Sequence, residues 1–189
     1  AVGKDSLKDN QGGAGNTAVG TEAMSNNTSG TESTAVGKLA LFTATTAALN
    51  VAVGNESLRL TTTGGSNTAV GRESGYSGTT HSGSVFVGEH AGYAVTTGNE
   101  NVGIGHNTMG GGTITGDANI AIGAYAGNSL SSGQRNVILG RDAAKTMNTG
   151  AYNVIIGDNA GNALTNGQYN TFLGLNTGDV TTTGDRLTL

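Results

Sequence analysis

Glycine returns at a fixed spacing along almost the whole chain: Gly3, Gly20, Gly37, Gly54, Gly71, Gly88, Gly105, Gly123, Gly140, Gly157 and Gly174. Nine of the ten intervals are seventeen residues long and one, Gly105 to Gly123, is eighteen. Such a period means one small unit repeated, not a globular domain built from varied elements. Aligned on this glycine, the four preceding residues read Asn-Thr-Ala-Val at 16–19, Asn-Val-Ala-Val at 50–53, Asn-Ile-Ala-Ile at 119–122 and Asn-Val-Ile-Ile at 153–156. We number these positions as columns one (asparagine) to five (glycine). A second glycine follows ten residues after the first in most repeats, at Gly30, Gly64, Gly98, Gly133, Gly150, Gly167 and Gly184.

Composition agrees with a repeat of small residues. The 189-residue chain holds 34 glycines, no tryptophan and only 4% aromatics, too few large side chains for an ordinary globular core. Disordered chains are poor in apolar residues too, but they are usually highly charged; here 12% of residues are charged and the apolar ones keep strict register, which favours order. The absence of proline suits a backbone whose amides all enter hydrogen-bond ladders. No Lys/Arg cluster is present to neutralise a phosphate backbone, so nucleic acid is not an expected partner. With no cysteine, disulfides and thiolate metal sites are excluded. No apolar run approaches the roughly 20 residues of a membrane helix, and Ala1-Val2-Gly3 is not a signal peptide. The chain enters the repeat at its third column, so a segment of something longer is expected.

Columns one to five alternate with the period of two that marks β structure. The fourth column is always aliphatic (Val19, Val36, Val53, Val70, Val87, Ile104, Ile122, Leu139, Ile156, Leu173) and the second always β-branched (Thr17, Thr34, Val51, Thr68, Val85, Val102, Ile120, Val137, Val154, Thr171). Both should point to one side, into the chain's own core. The third column is mostly alanine early on and grows to Phe86, Ile138, Ile155 and Phe172, so the opposite side must also be covered. Seventeen residues accommodate two short strands and two turns, one coil of a β-solenoid. The expected fold is therefore all-β: a solenoid of about eleven 17-residue coils over residues 1–186, with residues 187–189 beginning a different segment. The asparagines of column one, with Ser33 and Ser84 substituting, should form a structural ladder between coils. So thin a coil buries little area against the entropy of ordering it, which makes an obligate oligomer the expectation.

Repeats of the form Asn-Thr-Ala-Val-Gly, Asn-Val-Ala-Val-Gly and Asn-Ile-Ala-Ile-Gly, each followed three residues on by a small residue, resemble those of bacteriophage tail fibres and of trimeric autotransporter adhesin heads. That resemblance implies a left-handed parallel β-roll, three chains side by side in a homotrimer, and a role in surface attachment outside the cell, on a virion tail fibre or a bacterial surface. It also implies that column three faces the trimer axis, through Ala18, Ala35, Ala52, Ala69, Phe86, Ile138, Ile155 and Phe172. The seventeen-residue length, with Thr-Gly at the second turn, is closer to phage fibre shafts than to the shorter repeats of adhesin heads.

In such a rod, function should sit where the repeat is decorated. Five residues after the main glycine come Phe42, Arg59, Tyr76 and Tyr93 in adjacent coils, a line that suits contact with a cell-surface glycan or protein receptor. A purely structural edge or subunit seam explains the same line. Just before the asparagine, Arg135, Tyr152, Tyr169 and Arg186 read as a structural cation–π ladder. His90 and His106 lie near the same turn on consecutive coils, but no matching column supplies further ligands, so no metal or other cofactor is expected. No paired carboxylates or Ser/His/Asp set recurs in neighbouring columns, and an enzyme is not expected. Paired threonines (Thr45-Thr46, Thr62-Thr63, Thr79-Thr80) raise ice binding as a distant alternative, but adjacent residues of a strand point to opposite faces.

Overall fold

The computed structural model describes residues 1–189 and contains β structure and turns, with no helix. Its ten strands are each three residues long: β1 (Thr17–Val19), β2 (Thr34–Val36), β3 (Val51–Val53), β4 (Thr68–Val70), β5 (Val85–Val87), β6 (Val102–Ile104), β7 (Ile120–Ile122), β8 (Val137–Leu139), β9 (Val154–Ile156) and β10 (Thr171–Leu173). They stack in chain order as one parallel sheet, each strand pairing with the equivalent residues one repeat away, as in Val51↔Thr68 and Ala52↔Ala69. The chain is a β-solenoid of 17-residue coils. From β1 to β10 it completes about nine turns, where eleven were expected, because the first and last repeats contribute only the isolated bridges Val2↔Val19 and Thr171↔Thr188. At about 4.8 Å per coil the sheet is roughly 45 Å long.

Each coil contains one strand, not two. The remainder is a chain of turns, with isolated bridges only at Val95↔Ile114 and Ala151↔Gln168. Ordinary residues there adopt the left-handed conformation at fixed columns, as Glu56, Leu58 and Ser66 do at φ 58°, 50° and 59°. That region is costly for residues with a Cβ, and stacking between equivalent coils holds the conformation in place. Glycine is indispensable at column five. Gly54 has φ +139°, and a Cβ there would lie 2.3 Å from the carbonyl oxygen of Gly71 in the next coil. The second glycines have no positive φ, but their Cβ would also strike the next coil, as at Gly64, 2.2 Å from the carbonyl oxygen of His81.

The asparagine ladder is present. Asn67 donates its backbone N–H (3.0 Å) and its side-chain Nδ2 (3.1 Å) to Asn50 Oδ1, and Nδ2 also donates to the carbonyl of His81 at 2.9 Å. Asn119, Asn136, Asn153 and Asn170 repeat the pattern, and Ser33 and Ser84 offer Oγ to Asn50 and Asn101 in the same role. These amides are buried, so each filled bond avoids the cost of an unpaired polar group.

The strands face the opposite way from the sequence expectation. Column three points inward: Ala18, Ala35, Ala52, Ala69, Phe86, Ile138, Ile155 and Phe172 have no solvent exposure within the single chain and belong to one continuous core. They therefore cannot lie on an axis between chains. Columns two and four point outward, with Val51, Val70, Ile104 and Ile120 each 37–38% exposed. The reason is the volume of the interior, which the strand shares with side chains from the turns. At Ala18, Ala35 and Ala52 the residue six positions on is large (Met24, Leu41, Leu58), whereas Ala69 and Ala121 are followed by Gly75 and Gly127, and there the space beside the glycine is taken by Leu58 and Phe86 and by Leu130 and Ile138. Where column three is large, that partner is glycine or alanine: Phe86 with Gly92, Ile138 with Ala144, Ile155 with Gly161, Phe172 with Gly178. A Cβ on Gly92 would lie 2.3 Å from the Phe86 ring. The growth of column three thus reflects exchange of volume inside the coil, not a widening gap between chains.

The eighteen-residue repeat leaves the sheet untouched. Val102↔Ile120 and Ile104↔Ile122 remain in register. Gly111 N–H bonds to Asn128 O, seventeen residues on, whereas Thr115 N–H bonds to Ser131 O, sixteen on, so the surplus residue is absorbed between Gly111 and Thr115. This is just past the Gly110-Gly111-Gly112 run, which supplies the freedom a bulge needs.

Candidate functional site

Phe42, Arg59, Tyr76 and Tyr93 are brought into one line by the stacking of coils. The Arg59 guanidinium lies 5.9 Å from the Phe42 ring centroid and 5.6 Å from that of Tyr76, and its Nη1 donates to Tyr76 Oη at 2.6 Å. Tyr76 and Tyr93 stack with centroids 5.0 Å apart and planes 11° from parallel. Glu56 sits 3.4 Å from Arg59 Nη1, one turn earlier in its coil. Because the rings stack along the rod, their faces cover one another. Arg59 Nε is buried, so what the line offers is ring edges, the tyrosine hydroxyls and the outer part of a partly exposed guanidinium, a surface suited to polar contacts at a rigid spacing of one coil.

The line continues into a charged patch. His90 packs edge-on against Tyr93 at 5.4 Å, His90 and His106 are 6.4 Å apart, His106 meets Tyr125 at 5.4 Å, and Lys145 lies 5.0 Å over Tyr125. Both histidines have acid partners, contrary to the sequence expectation: His90 Nε2 is 3.1 Å from Glu73 and His106 Nδ1 is 3.6 Å from Glu89. Glu73 stands in the column of His90, and Glu89 in that of His106, one coil earlier. Arg72 occupies the other oxygens, bonding Glu73 at 2.7 Å and Glu89 at 2.7 and 3.0 Å. The hydrogen bond from Arg72 also holds the Glu89 carboxyl below its ordinary pKa. With the guanidinium between them, the two carboxylates form a salt-bridge network.

Arg135, Tyr152, Tyr169 and Arg186 form a second ladder. Arg135 and Arg186 each lie 5.5 Å from a tyrosine ring, and the two tyrosines stack at 5.1 Å with planes 7° apart. Beside it runs an open polar groove of about 600 Å³ that the sequence reading did not identify, lined by Ser66, Ser82, Asn99, Glu100, Asp117 and Arg135. Its wall is another ladder: Ser82 Oγ accepts from Gly65 N–H, Asn99 Oδ1 from Ser82 N–H, and Asp117 Oδ1 from Asn99 N–H. The available signal was the column before the asparagine, where Ser66, Gly83 and Ala118 are small and flank Glu100, while the same column carries Leu49 before them and Tyr152 and Tyr169 after.

The first threonines of the pairs are structural: Thr45, Thr62 and Thr79 each cap a carbonyl of the next coil through Oγ1. His81 occupies the second-glycine column. It is fully buried, neither ring nitrogen has a hydrogen-bond partner, and desolvation lowers its pKa from 6.5 to about 4. The ring lies in space left by Gly78, whose Cβ would sit 1.9 Å from it.

Comparison with protein-family models, curated proteins and solved structures finds no match to this chain.

Proposed function

We propose that this chain is a segment of an extracellular attachment fibre, assembled from several copies, most simply a homotrimer, and best read as part of a phage tail fibre. The observation that carries the reading is the unbroken register from β1 to β10: each coil is held by its neighbours, so the chain is a stiff rod whose exposed edges vary without disturbing the core. The line Phe42, Arg59, Tyr76 and Tyr93 is such an edge, and it serves as the receptor contact, toward a cell-surface glycan or protein. A head of a bacterial trimeric adhesin would use the same rod. Cell- and glycan-binding assays on the parent segment and on a Tyr76→Ala, Tyr93→Ala double variant test the proposal. Binding by the parent that falls at least tenfold in the variant supports it. Unchanged binding refutes the edge, and no binding by the parent makes the segment a passive shaft.

A further inference from the structure

The outer face of the sheet is apolar over its whole length. Columns two and four supply two outward residues on each of ten strands, and every one is Val, Ile, Leu or Thr, with no charge. In the isolated chain those flush with the sheet, such as Val36, Val70, Val87, Ile104, Ile122 and Val154, are 36–38% exposed. Together they offer an area on the order of the 800 Å² per partner that specific interfaces bury, in one strip well above what monomeric proteins leave uncovered. The strip is bordered by exposed charges immediately after column five, including Lys38, Arg72, Glu89 and Arg141, which reproduces the apolar centre and polar rim of a protein interface.

We infer that this face, columns two and four, is where further copies of the same chain dock. A copy of the chain fits because it carries an equally long, flat and uncharged strip with the same coil-to-coil spacing, so equivalent rows meet at equal heights when the rods lie parallel. The inference rests on the multi-copy part of the functional proposal and adds the surface, which is the opposite face from the one the repeat resemblance implies.

The chain has no cysteine, so single cysteines report contacts cleanly. Val85→Cys, Val87→Cys and, as a control on an exposed turn, Thr63→Cys would be oxidised at micromolar concentration and run on non-reducing gels. Mass photometry would compare the parent with a Val70→Lys, Val87→Lys variant whose fold is checked by circular dichroism. The expected result is a multimeric parent, cross-linked species from at least one of the two strand cysteines and not from the control, and a folded monomer in the double-lysine variant. If that variant does not fold, the cysteine experiment still decides. An assembled parent that cross-links only through Thr63→Cys overturns this inference and leaves the fibre proposal standing, whereas a monomeric parent overturns both. Thermal hysteresis by a monomeric parent, abolished in the lysine variant, would assign the face to ice and likewise overturn the inference.

Discussion

Acid should weaken this rod at one identifiable place. His81 is the only histidine inside the core, with its ring tilted against Phe86 at 5.8 Å, both nitrogens unpartnered, and a folded pKa of about 4. In the unfolded chain it binds a proton below about pH 6.5, while the folded chain resists protonation until about pH 4. The stability of the surrounding coils is therefore unaffected by His81 above pH 6.5, falls as pH drops through that window, and levels off below it. At about 1.4 kcal/mol per pH unit the total loss is about 3 kcal/mol. The control follows from the repeat itself. Flanking coils carry Thr61 with Gly64 and Val95 with Gly98 where this coil has Gly78 with His81. Gly78→Val with His81→Gly restores the regular pair, and the nearest obstacle to a Cβ at Gly78 is the His81 ring that the variant removes.

Urea unfolding of both proteins, followed by circular dichroism at several pH values from 7.5 to 4, isolates the term, because carboxylates such as Glu89 titrate identically in each. The parent should lose about 3 kcal/mol relative to the double variant between pH 6.5 and 4. Equal pH dependence in the two proteins would refute the reasoning, since it would mean that His81 is hydrated or finds a partner when the coil breathes.

Gly54→Ala should cost several kcal/mol or prevent folding, because its Cβ would lie 2.3 Å from a backbone oxygen that cannot move without displacing a coil; Thr63→Ala, on an exposed turn, should stay within about 0.5 kcal/mol in the same melt. Replacing Asn119 by Leu removes a buried amide that bonds Asn101, Asn136 and the Gly133 carbonyl, and should cost about 3 kcal/mol or more in urea unfolding. Phe86→Ala should cost about 3–5 kcal/mol, and Gly92→Leu should also be destabilising. Combining the two recreates the Ala52–Leu58 arrangement, so the double variant should be more stable than the sum of the single costs, and strict additivity in the cycle would deny that the two positions share one cavity.

Much of the fold was legible because stacking imposes it residue by residue. The glycine period located the ten strands of the sheet and the asparagine column announced its ladder, but the second strand expected in each coil is a run of turns. The grouping of Phe42, Arg59, Tyr76 and Tyr93 was legible for the same reason: residues at equal phase must be neighbours when coils stack in register. The pairs of His90 with Glu73 and His106 with Glu89 obey the same rule and were equally legible, so the expectation that no matching column supplies a partner is wrong. The left-handed residues, such as Glu56 and Tyr152, carry no signature in their side-chain types, since the neighbouring coils dictate their conformation.

The polarity of the strands was not legible from alternation, and the reason is general to thin solenoids. A period of two separates residues into two faces but does not say which is inside. The larger aliphatics of columns two and four suggest a core in an ordinary sheet, where the inner face meets another layer about 10 Å away. Here the opposite wall is the turn of the same coil, so interior volume is shared between column three and the residue six positions later. That reciprocity is written in the sequence, alanine with Met24, Leu41 and Leu58, then Phe86 with Gly92 and Phe172 with Gly178. Two positions that exchange size must compete for one space, whereas columns two and four hold only Val, Ile, Leu or Thr from β1 to β10, even as column four passes from valine (Val19 to Val87) to isoleucine and leucine (Ile104 to Leu173). An uncharged character that persists through such changes of size belongs to a face that meets the same kind of surroundings at every coil, as the proposed strip facing a parallel copy of the chain requires.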